Sequence, residues 1–277
     1  MKKNVKLLFL MALLPFAIFA QDEQPKHRNL KLAFEVGTNI KERGIAKPEQ
    51  IRENQSTGSY GDSFYNYGFF GGGNLLHTTY FGIKPEYFFH NNRIGIASGV
   101  RFTTASSKLV SDRDNFLWRI NEDDLTTDFV RINDIRHKSY LLGIPLEFRI
   151  FPNKKQWAVQ PYIKAGTSFN FRIHSRNQVN FTDKAMEKYE DVVSRQLSEN
   201  NNFSAFLYAG AGLKIGRHKA DRWSPWVNVD FQFPYFMLTE NSFAFIGKYN
   251  DIDLFPGGGF QLSFQIPIGK NVPIGSN

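Results

Sequence analysis

From Tyr140 to Ile150 the chain reads YLLGIPLEFRI, a run whose two alternating faces differ sharply. Successive side chains of a strand leave opposite faces of the pleated backbone. Tyr140, Leu142, Ile144, Leu146, Phe148 and Ile150 therefore share one face, and Gly143, Pro145, Glu147 and Arg149 share the other. After a short turn over 152–156 the pattern repeats. Val159, Ile163, Ala165, Phe169, Phe171 and Ile173 lie on one face, opposite Gln160, Lys164, Ser168, Asn170 and Arg172. A chain built from such runs must fold as a sheet that is apolar on one side.

The same reading predicts eight strands: Leu30 to Thr38, His77 to Phe89, Asn92 to Thr104, Arg136 to Phe151, Trp157 to His174, Phe203 to Gly216, Trp223 to Leu238 and Gly257 to Gly269. Most reach the ~9–11 residues with which a tilted strand crosses a bilayer. Their connections alternate. Those at 90–91, 152–156 and 217–222 are short, whereas those at 39–76, 105–135, 175–202 and 239–256 are long. Short turns at one end and long loops at the other are the pattern of an outer-membrane barrel with both termini in the periplasm.

An export signal agrees with that placement. Lys2, Lys3 and Lys6 precede the apolar run Leu7 to Ala20, with Ala20 at the expected cut, so residues 1–20 are read as a signal peptide and 21–277 as one barrel domain. The run falls short of the ~20 apolar residues of a spanning helix. With no cysteine, the chain has no disulfide, thiol nucleophile or lipid-modified N-terminal Cys. The formal charge of +8 includes the three signal lysines. The remaining excess is spread out, which speaks for anionic lipid head groups or solubility and against nucleic acid as a partner.

Which face meets lipid follows from volume. A lipocalin-like barrel turns its apolar face inward, but an eight-stranded interior is only just wide enough for its side chains to fill it. The many phenylalanines of the apolar face do not fit there. The lipid-facing set is accordingly Leu142, Ile144, Leu146, Phe148, Ile163, Phe169, Phe231, Phe233, Leu262 and Phe264. The inward face predicts a charge network of Lys31, Lys84, Arg101, Arg149, Lys164, Arg172 and Lys214 against Glu35, Glu86, Glu147 and Asp230. Glycines between them leave room for the long Lys and Arg chains. Tyr87, Tyr140, Trp157, Trp223, Trp226 and Tyr235, near strand ends, fit interfacial girdles.

The pair SYLLGIPLEFRIF (139–151) and QPYIKAGTSFNFRI (160–173), followed by FLYAGAGLKIG (206–216), resembles the paired and following strands of PorT-like outer-membrane barrel proteins. That resemblance implies an eight-stranded barrel of a Gram-negative outer membrane, and for the founding member a part in type IX secretion.

Other motifs point less far. The six histidines are scattered and suggest no metal site. Asp112, Asp114, Asn121 to Asp124, Asp128 and Asp134 offer oxygen ligands but lack calcium-loop spacing, and read as solvated charge. His137-Lys138-Ser139 loosely resembles the His-x-Ser pair of lipid A deacylases, in which His deprotonates a Ser nucleophile at the lipid-facing wall. In the third long loop, Thr182 is placed to cap a short helix with Met186, Tyr189, Val193 and Leu197 on one stripe, packed across the barrel mouth. The aromatic, glycine-rich segment 59–76 reads equally as a recognition loop or a rim hairpin. The expectation is a non-enzymatic outer-membrane barrel with a structural or binding role through its outer loops. No catalytic, cofactor or metal residue is assigned. Outer-membrane lipid and protein partners at the loops or in a secretion complex are the expected contacts, and a lipid A-modifying enzyme is the alternative.

Overall fold

A computed structural model describes residues 29–43, 51–53, 74–89, 93–110, 115–121, 128–152, 158–197, 201–216, 226–239, 243 and 257–268. The signal segment and most of the aromatic segment 59–76 lie outside the described residues, as do Trp157, Trp223 and Glu122 to Asp124. The strands are β1 (Asn29–Arg43), β2 (Ile51–Glu53), β3 (Asn74–Phe89), β4 (Ile94–Ser98), β5 (Val100–Val110), β6 (Phe116–Arg119), β7 (Phe129–Ile150), β8 (Val159–Phe181), β9 (Phe203–Ile215), β10 (Trp226–Met237) and β11 (Gly258–Pro267). A 3₁₀ turn, Lys184–Tyr189, leads into the one α-helix described, α1 (Glu190–Gln196).

All eleven strands join one antiparallel sheet, rather than the eight expected. β2 stands within the connection expected at 39–76, and two further causes account for the rest of the difference. First, the expected third strand is parted at Gly99 into β4 and β5, which keep one register: Glu86 faces Ala97 and Ile83 faces Val100 on β3. Second, the segment expected to be a long loop over 105–135 is mostly strand. β5 continues to Val110, β7 begins at Phe129, and between them β6 pairs with β7 on one side and with β2 on the other.

The pairings run in sequence from β7 through β4 and β5 to β3, β1, β11, β10, β9 and β8. β8 then pairs with β7 along nearly its whole length, from Ile132↔Phe181 to Ile150↔Ile163. Every strand of that series therefore has a partner on both sides, which leaves no free edge to template association.

β7 and β8 run far past their expected ends, to Phe129 and Phe181 respectively. The extensions hold a second apolar core at the long-connection end. Trp118, Val130, Ile132 and Ile135 pack there with Val193 and Leu197 of the helical segment. Burial of these chains, worth ~1.5–3 kcal/mol each when complete, keeps the strands paired beyond the reach of the outer apolar band.

The helical stripe falls as expected, with Val193 and Leu197 buried and Met186 and Tyr189 packed against the same core. Its cap differs. Asp183 rather than Thr182 occupies the cap, accepting a hydrogen bond from the Ala185 amide at 2.9 Å, while Thr182 donates its hydroxyl to Asn133. A carboxylate is the better acceptor beside the positive end of a helical turn. Trp118 holds α1 down from the side, its indole N–H donating to Gln196 Oε1 at 2.8 Å.

Candidate functional site

Two side-chain arrangements stand out, and alternation builds both. The first fills the interior. Lys84 on β3 reaches Glu35 on β1 and Glu147 on β7, 2.6 Å from each. Arg101 on β5 joins the same two carboxylates, at 2.7 Å to Glu35 and 3.2 Å to Glu147. Arg149 spans Glu86 at 3.2 Å and Glu147 at 3.1 Å, and Lys164 lies 3.3 Å from Asp230. These pairs are cut off from solvent. Ionised groups so deeply buried persist only when each has close opposite charge and further hydrogen bonds, and here tyrosines complete the set. Tyr208 donates to Glu147 at 2.9 Å, Tyr162 donates to Asp230, and Tyr80 donates to Gln261 at 3.0 Å.

Among the described residues, no carboxylate lies within ion-pair distance of Lys31 or Lys214. Both ammonium groups lie over the Trp226 ring, at 2.9 and 3.4 Å from its centroid, with Phe88 and Phe151 alongside. A ring face attracts a desolvated cation. Arg172 stands apart from the network. It is half-buried near the long-connection end and donates to the Asn201 carbonyl.

Sequence reasoning placed the charges but missed the tyrosines and glutamines between them. Tyr80, Tyr162, Tyr208, Gln232, Gln261 and the completely buried Lys41 all carry the inward parity of their strands. That parity was the available signal, the same one that places Gln160, Ser168 and Asn170 on the inward face. The glycines also serve a different neighbour than expected: a Cβ on Gly166 would lie 2.9 Å from the Tyr208 ring, and one on Gly212 would lie 2.6 Å from Tyr162. These two make room for rings, while Gly99, Gly210 and Gly259 lie closest to neighbouring backbone. Trp226 and Tyr235, expected in an interfacial girdle, are buried inside instead. Trp226 shares its parity with Asn228, Asp230 and Gln232, which fixes its direction.

The outer face carries the expected apolar set. Leu146, Phe148, Ile163, Phe169, Phe231, Phe233, Leu262 and Phe264 are exposed, and Leu142 and Ile144 are half-exposed. Register joins them into continuous rows, such as Val36–Leu262–Val229–Leu213 and Phe81–Phe102–Leu142–Phe171. A single contiguous patch above ~300–600 Å² is unusual on a water-soluble monomer.

The second arrangement sits above that band, where the outward neighbours of His137 are the polar Arg136 and Lys138. His137 Nε2 is 2.7 Å from Ser139 Oγ, and its Nδ1 is 2.7 Å from Asn177 Oδ1. Burial pushes the imidazole down to about 4, against a smaller upward pull from Asn177. The ring is therefore neutral. Because Asn177 Oδ1 only accepts, Nδ1 carries the proton and Nε2 accepts from the Ser139 hydroxyl. This is the connectivity of an orienting group, a base and a nucleophile, but it faces inward. Ser139 is completely buried, and Lys138 and Tyr140 take the outer wall in its place. Odd positions of β7 from Ile135 to Arg149 point to the interior, so this pair does not reach the lipid-facing wall where the deacylases it resembles carry theirs.

Among the described residues no three His, Asp or Glu side chains gather where they would hold a metal ion. Asp134, one of the acidic residues noted above, is engaged by Arg136 at 3.0 Å. No helix among the described residues is long and apolar enough to cross a membrane. The family model described as outer membrane protein beta-barrel domain matches residues 19–236. No curated protein matches the chain.

Proposed function

Because this chain belongs to the outer membrane protein β-barrel domain family, we propose that it is a non-enzymatic, non-conducting barrel. Its eight staves, β4 and β5 forming one of them, close around the charged interior and stand in a bacterial outer membrane. The outer apolar rows meet lipid, the short turns and both termini face the periplasm, and the long connections face outward to carry a structural or binding role.

The observation that carries this reading is the packed interior. Ion pairs from β1, β3, β5, β7, β8 and β10 fill the interior with buried side chains. Water-filled channels belong to barrels of many more strands. Reconstitution into planar bilayers tests it: the wild-type chain is expected to give no conductance steps although the same preparation shifts on a gel between unheated and boiled samples. Stable single-channel steps from the folded form would overturn it.

The strands that resemble PorT-like proteins pair in register as neighbours, Phe148 facing Ala165 and Ile144 facing Phe169. This supports the narrower kinship and, with it, a place in a type IX-like secretion apparatus as the second reading. Crosslinking and co-purification from native membranes decide between the two, since a barrel recovered alone counts against secretion. The inward burial of Ser139 supports the absence of hydrolysis. Release of acyl chains from lipid A in liposomes, lost on Ser139→Ala, would reverse that conclusion.

A further inference from the structure

Above the outer apolar rows, register stacks three polar tiers on adjacent strands. Phe81, Phe102, Leu142 and Phe171 lie in one row on β3, β5, β7 and β8. Two residues along β3, β5 and β7, and three along β8 where a bulge adds one, Thr79, Thr104, Tyr140 and His174 follow, with the Tyr140 and His174 rings stacked at 6.1 Å. Two residues further come His77, Ser106, Lys138 and Arg176, and beyond them Lys108, Arg136 and Gln178. All of these point outward. At ~3.3 Å per residue, the Lys138 tier stands about 13 Å along the strand from the Leu142 row. The cationic tiers border a groove of about 520 Å³.

The charge there is one-sided. Lys108, Arg136, Lys138 and Arg176 are exposed, and none of the described residues lining the groove is a carboxylate. The nearest acid among the described residues is Asp134, which holds Arg136 at 3.0 Å and lies 3.9 Å from Lys108 Nζ. Among the described residues, one carboxylate stands against four cations, which makes this wall positive. Arginine and lysine grouped this way match phosphate oxygens, arginine by two parallel donors and lysine as a point charge.

We infer that the outer wall formed by Lys108, Arg136, Lys138 and Arg176 binds the phosphorylated headgroup of a glycolipid in the outer leaflet. The lipid source follows from continuity. The cations share their strands and their face with the apolar rows, and the aromatic tier of Tyr140 and His174 lies between them at the level of an interface. An acyl chain lying on Leu142 and Phe171 carries its headgroup to Lys138 and Arg176. This inference rests on the outer-membrane reading and on the long connections facing outward.

The test uses the full-length chain folded in detergent, with K138Q/R176Q as the altered form. Both side chains are exposed, so the fold is expected to survive, and an unchanged heat-shift on gels verifies it. Mixed micelles carrying bis-phosphorylated lipid A, the same lipid after phosphatase treatment, and inorganic phosphate alone are compared. Wild-type protein is expected to retain the phosphorylated lipid, with affinity about thirtyfold weaker in the double substitution and similarly weak for the dephosphorylated lipid. Equal retention of both lipids, or equal binding by K138Q/R176Q, overturns the inference. Inorganic phosphate binding as tightly as the lipid also overturns it, by showing a free-anion site. Loss of the heat-shift in wild-type protein, or solubility without detergent, would instead bring down the membrane reading beneath it.

Discussion

The ammonium of Lys84 lies 2.6 Å from the carboxylate of Glu147, with neither side chain exposed to solvent. Glu147 also receives Arg101, Arg149 and Tyr208, so it is the acceptor through which β3, β5, β7 and β9 meet. Glu147→Gln is expected to lower stability by about 3–5 kcal/mol, the cost of leaving buried cations without their counter-charge. Lys84→Met alone is expected to destabilise as well, and the two substitutions together by less than their sum, since they remove partners of one interaction. Urea midpoints of the detergent-folded chain measure all three.

A charge placed on the outer rows is expected to act by depth. Phe231→Arg and Leu146→Arg lie well inside the apolar band and should each cost about 2–4 kcal/mol in lipid. Gln178→Arg, on the polar tiers, should cost almost nothing. Folding yields into vesicles provide the measurement. Equal yields for all three would mean that these rows do not meet hydrocarbon.

Gly166 lies where a Cβ would come within 2.8 Å of the Leu146 carbonyl oxygen and 2.9 Å of the Tyr208 ring. The backbone contact cannot yield cheaply, so Gly166→Ala should displace Tyr208 from Glu147 and cost about 1–3 kcal/mol. Gly166→Ala combined with Tyr208→Phe should lose less than the two separately. Thermal unfolding followed by the gel shift reads this coupling.

Acid should loosen the long-connection end first. His137 is neutral when folded, with its imidazole pushed down to about 4, against ~6.5 in an unfolded chain. Between those values the unfolded chain takes up a proton that the folded one refuses. The stabilisation is therefore complete above about pH 6.5, falls as pH drops towards 4, and is flat below that, with a ceiling of about 3 kcal/mol. Hydrogen exchange of the β7 amides around His137 should accelerate through this window, and His137→Gln should remove the pH dependence.

Much of this architecture was legible because strand parity is local. The alternation in YLLGIPLEFRI assigns Leu146 and Phe148 outward and Glu147 and Arg149 inward without knowledge of any neighbour. The same rule applied to uncharged residues would have turned Trp226 and Tyr80 inward. The strand extensions beyond Arg136 and His174 were hidden, because Val130, Ile132, Trp118 and Val193 form their apolar core only when three distant segments meet. A pattern spread over separate loops has no period to detect.

What the chain determined alone is the face each side chain takes, since that depends only on odd or even position along an extended backbone. Which residues then touch was decided by register and closure. Lys84 finds Glu35 and Glu147 because β3 pairs with β1 on one side and, through β4 and β5, with β7 on the other, curving these strands around one axis. The basic wall of Lys138 and Arg176 exists only because β7 and β8 are aligned within one tier. Distances across a curved sheet depend on stagger between strands, a quantity that no single segment of sequence carries.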